Sequence, residues 1–254
     1  MKTLALIPAR YASSRFPGKP LADIAGQPMI RRVYERASAV FEACYVATDD
    51  ARIEAAVQAF GGRVVMTSSD HRSGTDRCRE ALDTIEQATG QSFDVVVNVQ
   101  GDEPFVATEQ LVQLASSFDD PATQIATLVK PFAPDEDIFN PNSPKVVLSR
   151  QGYALYFSRS PIPFLRSEAD RSRWGEAHRY YKHVGMYAYR AEALREITRL
   201  EPSPLELAES LEQLRWLENG YRIRVGITDR PTVAVDTPED LAAAVRFYRE
   251  TFSE

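Results

Sequence analysis

Asp94-Val95-Val96-Val97-Asn98-Val99-Gln100 decides the fold: four of these seven residues are valine, three of them consecutive. A β-branched run with almost no alternation suits a strand buried on both faces, as in a parallel sheet. Similar short runs lie upstream at 3–7, 43–48 and 63–66 and downstream at 124–130. Amphipathic helical patterns separate them at 28–40, 50–60, 75–88 and 108–117. This alternation predicts right-handed βαβ units, with helices covering a mostly parallel sheet on both sides. Beyond residue 130 the pattern changes. Residues 145–149, 153–158 and 182–189 read as strands with no regular helix between them, and 161–179 reads as a polar loop with a little helix. Ser203-Pro204-Leu205-Glu206 carries an N-cap serine, Pro at N1 and Glu at N3, and Thr237-Pro238-Glu239-Asp240 opens a last helix in the same way. The expectation is one α/β domain over 1–254 with a strand-rich lobe inserted at about 130–190.

Bulk properties narrow the function. The chain has 254 residues, 44% hydrophobic and 26% charged, which is ordinary for a globular protein. A net charge of −6 argues against a nucleic-acid partner. No apolar run approaches the roughly 18 residues of a membrane span. The apolar stretch of the N-terminal MKTLALIPAR ends at Pro8 and Arg10, too short for a secretory core, so it is expected to be a first strand of a cytoplasmic protein. Cys44 and Cys78 show no CxxC spacing and the three histidines form no ligand pattern, which argues against zinc and for free thiols in a reducing compartment.

The residues with most chemical content follow the strands. Ile7-Pro8-Ala9-Arg10-Tyr11-Ala12-Ser13-Ser14-Arg15-Phe16-Pro17-Gly18-Lys19-Pro20 leaves the first strand where open α/β sheets bind ligands. Its N–H groups with Arg10, Arg15 and Lys19 could cradle a polyphosphate. A Walker loop is excluded, because Pro20 stands where Ser or Thr is required and Ser13 where the first glycine belongs. No GxGxxG follows any strand, so a dinucleotide site is unsupported. Gln100-Gly101-Asp102-Glu103-Pro104 presents Asp102 after a strand, either as a Mg²⁺ ligand or as part of a plain turn. Asp236 ends another apolar run; taken alone it reads best as the residue before a capped helix, with metal binding as the alternative. His71-Arg72-Ser73-Gly74-Thr75-Asp76-Arg77 enters a helix and could hold an anion or the edge of a base there, or be only a helix start. Arg159 could clamp a carboxylate bidentately. In Tyr181-Lys182-His183-Val184-Gly185-Met186-Tyr187, strand alternation puts His183, Gly185 and Tyr187 on one face and Val184, Met186 and Ala188 on the other. Glu212 and Gln213 lie on a helical stretch and, alone, read as a solvated face.

Eleven stretches in order, IPARYASSRFPGKPL, YVATDD, SGTDR, VNVQGDEP, FNPN, KVVL, YALYFSR, HVGMYAYR, PLE, LEQLRWLENG and VDTPEDL, resemble the 3-deoxy-manno-octulosonate cytidylyltransferases, the CMP-Kdo synthetases. The resemblance runs almost end to end and implies the Rossmann-like α/β fold of nucleotide-sugar transferases. It implies transfer of CMP from CTP to the anomeric hydroxyl of Kdo with release of pyrophosphate, for lipopolysaccharide biosynthesis, by a cytoplasmic, Mg²⁺-dependent homodimer. It places Arg10, Arg15 and Lys19 at the CTP phosphates, Ser13 and Asp102 among the CTP-binding residues, and Ser73 and Arg77 near base and ribose. Asp102 and Asp236 become the two magnesium carboxylates, a pairing their spacing alone could not show. Gln100, Arg159, Arg166, His183, Tyr187, Glu212 and Gln213 surround the sugar acid. Arg10, Lys19, Asp102 and Asp236 are then the catalytic set. The alternatives are a cytidylyltransferase for 8-amino-Kdo or neuraminate, or a non-catalytic nucleotide-binding regulator on the same fold.

Overall fold

A computed structural model describes residues 1–12, 15–231 and 234–252. The chain forms two compact units, residues 1–115 with 231–254, and residues 116–230.

In the first unit four parallel strands lie in the order β4-β1-β2-β3, where β1 is Thr3–Ala9, β2 Ala43–Thr48, β3 Val64–Met66 and β4 Val95–Asn98. Leu4 of β1 faces Ala43 on one side and Val96 on the other. Val95, Val96 and Val97 are wholly buried, as the unbroken valine run requires. The connecting helices are α1 (Met29–Ser38), α2 (Ala51–Ala59) and α3 (Gly74–Thr89), followed by α4 (Thr108–Ser116). α1 buries Met29, Ile30, Val33 and Ala37, one stripe at helical spacing, and packs on β1 and β2. Asp50 caps α2 by accepting from the Arg52 N–H, and Ser73 caps α3 by accepting from the Asp76 N–H. Each fully buried Leu, Ile or Val in this core stabilises the fold by roughly 1.5–3 kcal/mol relative to exposure.

The C-terminal helix Pro238–Phe252 returns to this unit. Ile24, Met29, Val235 and Ala244 form one buried cluster, with Phe16, Phe105, Leu241 and Tyr248 packed around it. That apolar cluster carries the segment around residue 236 back to the loop that follows β1.

The second unit contains β5 (Ile125–Pro131), β6 (Lys145–Leu148), β7 (Ala154–Ser158), β8 (Tyr181–Arg190) and β9 (Ile223–Ile227). β5 pairs antiparallel with β8 and parallel with β9, and β6 pairs antiparallel with β7 and β8. The simple alternation expected along β8 is interrupted. His183 pairs with Val129, Val184 with Leu128 and Tyr187 with Thr127, so Gly185 and Met186 form a bulge. Two inserted residues preserve the two-residue period, and His183 and Tyr187 still share a face, with ring centroids 5.2 Å apart. The capping box at Ser203 and Glu206 opens the helix Pro204–Glu209, and Gln213–Glu218 follows it. Among the described residues no helix is long and apolar enough to cross a membrane.

Candidate active site

A cleft of about 280 Å³ opens in the first unit where β1 and β4 end, on the scale of small-molecule sites. Arg10, Arg15, Lys19, His71, Arg72, Ser73, Arg77, Gln100, Asp102 and Asp236 all line it. Several backbone features place them. Gly18 has φ 72°, and its N–H donates to the Tyr11 carbonyl at 2.9 Å, closing the loop after β1. A side chain there would be strained and would also meet the Tyr11 ring at about 3.0 Å. The turn starts the short 3₁₀ helix Lys19–Leu21 and puts Lys19 at its first position. Gly101 is needed for a different reason: a Cβ would lie 2.8 Å from the Pro8 carbonyl oxygen, so only glycine lets the two strand ends approach.

Lys19 is the centre of the site. Its Nζ donates to Asp102 Oδ2 at 2.8 Å and to Asp236 Oδ1 at 3.0 Å, and the lysine side chain is only 13% exposed. Arg15 reaches the other Asp236 oxygen at 3.2 Å. The meeting of Asp102 with Asp236 has a backbone cause, because the Val235 N–H donates to the Asp102 carbonyl at 2.9 Å. Thr237 caps the last helix, its hydroxyl accepting the Asp240 N–H at 3.2 Å, while Asp240 accepts from the Asp236 and Thr237 N–H groups, which leaves the Asp236 carboxylate facing the cleft. Next to Asp102, Glu103 is buried, and burial with the neighbouring Asp102 charge raises its carboxyl to about 7.

Asp102 and Asp236 offer hard oxygen donors of the kind a Mg²⁺ ion takes, usually one or two carboxylates with phosphate and water oxygens. Among the described residues no group of three or more His, Cys, Asp or Glu gathers for a metal, so the donor set suits a cation that shares its shell with a phosphorylated ligand. Arg10 and Arg15 are exposed beside the pair. Ser73 uses its hydroxyl as the α3 cap, and Arg77 is buried, donating to Thr67 Oγ1 at 2.5 Å and Asp49 Oδ2 at 3.1 Å. Ser13 lies outside the described residues. His71 and Arg72 belong to the segment quoted from the sequence but were given no role of their own, and both line the cleft.

The remaining candidates, apart from Gln100, belong to the second unit. Arg159 donates Nε–H to the Glu209 carbonyl at 2.6 Å, and its two amino groups reach the Pro141 and Ser210 carbonyls at 2.9 and 3.2 Å. A guanidinium has five N–H donors, so this ties two loops together and leaves two for a ligand. Arg166 is exposed. His183 Nε2 is 3.0 Å from Thr127 Oγ1, and desolvation lowers its pKa to about 4, so the ring is neutral near pH 7. Tyr187 is buried beside it, and burial pushes its hydroxyl well up, with Tyr189 and Glu212 adding to the effect. Gln213 is 5% exposed, and its buried Nε2 has no hydrogen-bond partner among the described residues. A buried donor of this kind is costly unless a ligand or water completes it. The solvated-face reading of Gln213 is therefore corrected: the side chain is turned inward.

Fold and cleft together define an α/β nucleotidyltransferase type, and comparison with known proteins refines this. The family model described as cytidylyltransferase matches residues 4–223. A 3-deoxy-manno-octulosonate cytidylyltransferase from Parabacteroides distasonis is 60% identical over 251 residues, 97% of this chain and 98% of that protein. One from Bacteroides thetaiotaomicron is 61% identical over 252 residues, covering 98% and 99%. A solved structure of CMP:2-keto-3-deoxy-manno-octonic acid synthetase complexed with CTP has a TM-score of 0.89 and 45% identity, covering 98% of this chain and 99% of that one. The chain belongs to the 3-deoxy-manno-octulosonate cytidylyltransferase family.

Proposed function

We propose that this protein transfers CMP from CTP to the anomeric hydroxyl of Kdo, releasing pyrophosphate, with Mg²⁺ as cofactor. The observation that carries the reading is Lys19 held between Asp102 and Asp236 at 2.8 and 3.0 Å, in a cleft also lined by Arg10, Arg15 and Arg72. Phosphoryl-type transfer needs positioning and charge neutralisation more than covalent help. Arg10, Arg15 and Lys19 bind the triphosphate and offset charge that builds on the departing pyrophosphate. Ser73 and Arg77 orient the nucleoside. Asp102 and Asp236 would hold the divalent cation, which would supply Lewis-acid charge to the phosphates.

Arg159, with its two remaining N–H donors, takes the sugar carboxylate. Arg166 is a second cation on that side. Gln100, His183, Tyr187 and Glu212 bind sugar hydroxyls, and Gln213 gives its orphaned N–H to one of them. The neutral His183 ring is a hydrogen-bonding group here and not an acid. The sugar oxygen attacks the α-phosphorus in line with the leaving pyrophosphate, and its proton passes to solvent. Cys44 and Cys78 are buried thiols, and a cytoplasmic location and a homodimer are part of the same reading.

Pyrophosphate release from CTP with Kdo, 8-amino-Kdo, N-acetylneuraminate and no sugar tests the proposal. Release with Kdo, abolished by EDTA, is the expected result. Preference for another acid would overturn the sugar assignment, and CTP binding without release from any acceptor would favour a regulator.

A further inference from the structure

The turn Thr48-Asp49-Asp50 belongs to one of the motifs in the ordered series, and the reaction above gives it no task. The structure assigns one to Asp49. Arg77, in the first turns of α3, is 3% exposed yet lines the nucleotide cleft. A buried guanidinium needs acceptors, and two come from outside its helix. Thr67 Oγ1 accepts from one amino group at 2.5 Å and Asp49 Oδ2 from the other at 3.1 Å. Thr67 is itself fixed, since its N–H and hydroxyl both donate to the Thr48 carbonyl, at 2.8 and 3.2 Å. The ends of β2 and β3 thus hold Arg77 between them. The Asp49 and Arg77 side chains are 18% and 4% exposed, so water screens this pair far less than a surface pair.

We propose that Asp49 is a positioning residue for nucleotide recognition. It holds the Arg77 guanidinium in one orientation and balances its charge, leaving the other N–H groups for neutral acceptors on the nucleoside instead of the phosphates. This rests on the cytidylyltransferase reading of the cleft. The sign of the effect separates it from simple electrostatics. Removing Asp49 removes a negative charge near a polyanion site, which by Coulomb interaction alone strengthens CTP binding. Weaker binding therefore has to come through the position of Arg77.

The test is calorimetric titration of CTP and of inorganic tripolyphosphate, each with Mg²⁺, into the wild type, Asp49→Ala, Asp49→Asn and Thr67→Val. Asp49→Ala is expected to weaken CTP about tenfold or more, as for loss of a hydrogen bond to a charged group. Tripolyphosphate should bind unchanged or slightly tighter. Asp49→Asn keeps an acceptor and should recover most of the CTP affinity. Thr67→Val should show a smaller loss selective for CTP, and it carries the test if Asp49→Ala does not fold. CTP affinity unchanged or improved in Asp49→Ala would overturn the proposal, as would a parallel loss of both ligands in every variant. A wild type that binds tripolyphosphate but not CTP would defeat the cytidylyltransferase reading itself, and this inference with it.

Discussion

Lys19 reaches two carboxylates that lie 83 and 217 positions further along the chain, and the chemistry of the first unit is concentrated there. Lys19 takes one oxygen of each carboxylate and Arg15 takes the second Asp236 oxygen at 3.2 Å, so the four charges hold one another in place. Asp102→Asn keeps size and hydrogen bonding but removes an anionic donor. Turnover should fall by about a hundredfold or more, while the melting temperature stays within a few degrees; unchanged turnover would remove Asp102 from the mechanism. Arg159 is a different case, because three of its N–H groups already hold backbone carbonyls. Arg159→Ala should raise the KM for the sugar acid much more than the KM for CTP, and steady-state kinetics with each substrate varied in turn would show it. Equal changes in the two constants would mean that Arg159 serves only the loops it ties.

Among the elements, β8 combines packing and site most closely. Its bulge at Gly185 and Met186 keeps His183 and Tyr187 on one face while the strand stays paired with β5. His183 has a folded-state pKa of about 4 against an ordinary value of 6.5, lowered by desolvation. At pH 7 the ring is neutral in the folded chain and mostly neutral in the unfolded one, so its pH-dependent term is small there. Between about 6.5 and 4 the unfolded chain takes up a proton that the folded one does not, so stability falls with pH across that window, by at most roughly 3 kcal/mol. Denaturant unfolding at pH 7 and pH 4.5 should show a smaller acid loss in His183→Asn than in the wild type; identical losses would contradict the burial argument. Elements were also what the sequence conveyed best. The valine run, the βα alternation and the Ser203 capping box each have a local cause, and each is present. The bulge was not legible, because Gly185 in an alternating strand does not declare which partner residue it fails to face. Nor was the pairing of Asp49 with Arg77, since a salt bridge between a strand end and a helix leaves no periodic trace.

For the molecule as a whole, the informative contrast is between net charge and local charge. The chain carries −6 overall, yet five basic side chains, Arg10, Arg15, Lys19, Arg72 and Arg77, line a single cleft. Composition argues against nucleic acid but could not reveal an anion site, which depends on where chain segments meet. The approach of Asp236 to Asp102 is of the same kind: it follows from Val235 and the C-terminal helix packing on Ile24 and Met29, contacts that no local spacing encodes. Large apolar side chains are exposed in the second unit, with Leu155 at 61%, Phe164 at 74% and Leu207 at 68%. Exposed apolar side chains are ordinary on a protein surface, so solution mass is what tests the proposed homodimer. Light scattering on the eluting protein should give about twice 28.5 kDa, and a monomer at micromolar concentration would remove the dimer from the account.

The central claim is nucleotidyl transfer in the Lys19, Asp102 and Asp236 cleft, and the fate of the two ends of the triphosphate tests it most directly. CTP labelled at the α-phosphorus or at the γ-phosphorus is incubated with Kdo, Mg²⁺ and the protein, and the products are separated. The account predicts α-label in a CMP-sugar and γ-label in pyrophosphate. Label from the γ-phosphorus on the sugar, or release of CDP, would contradict it.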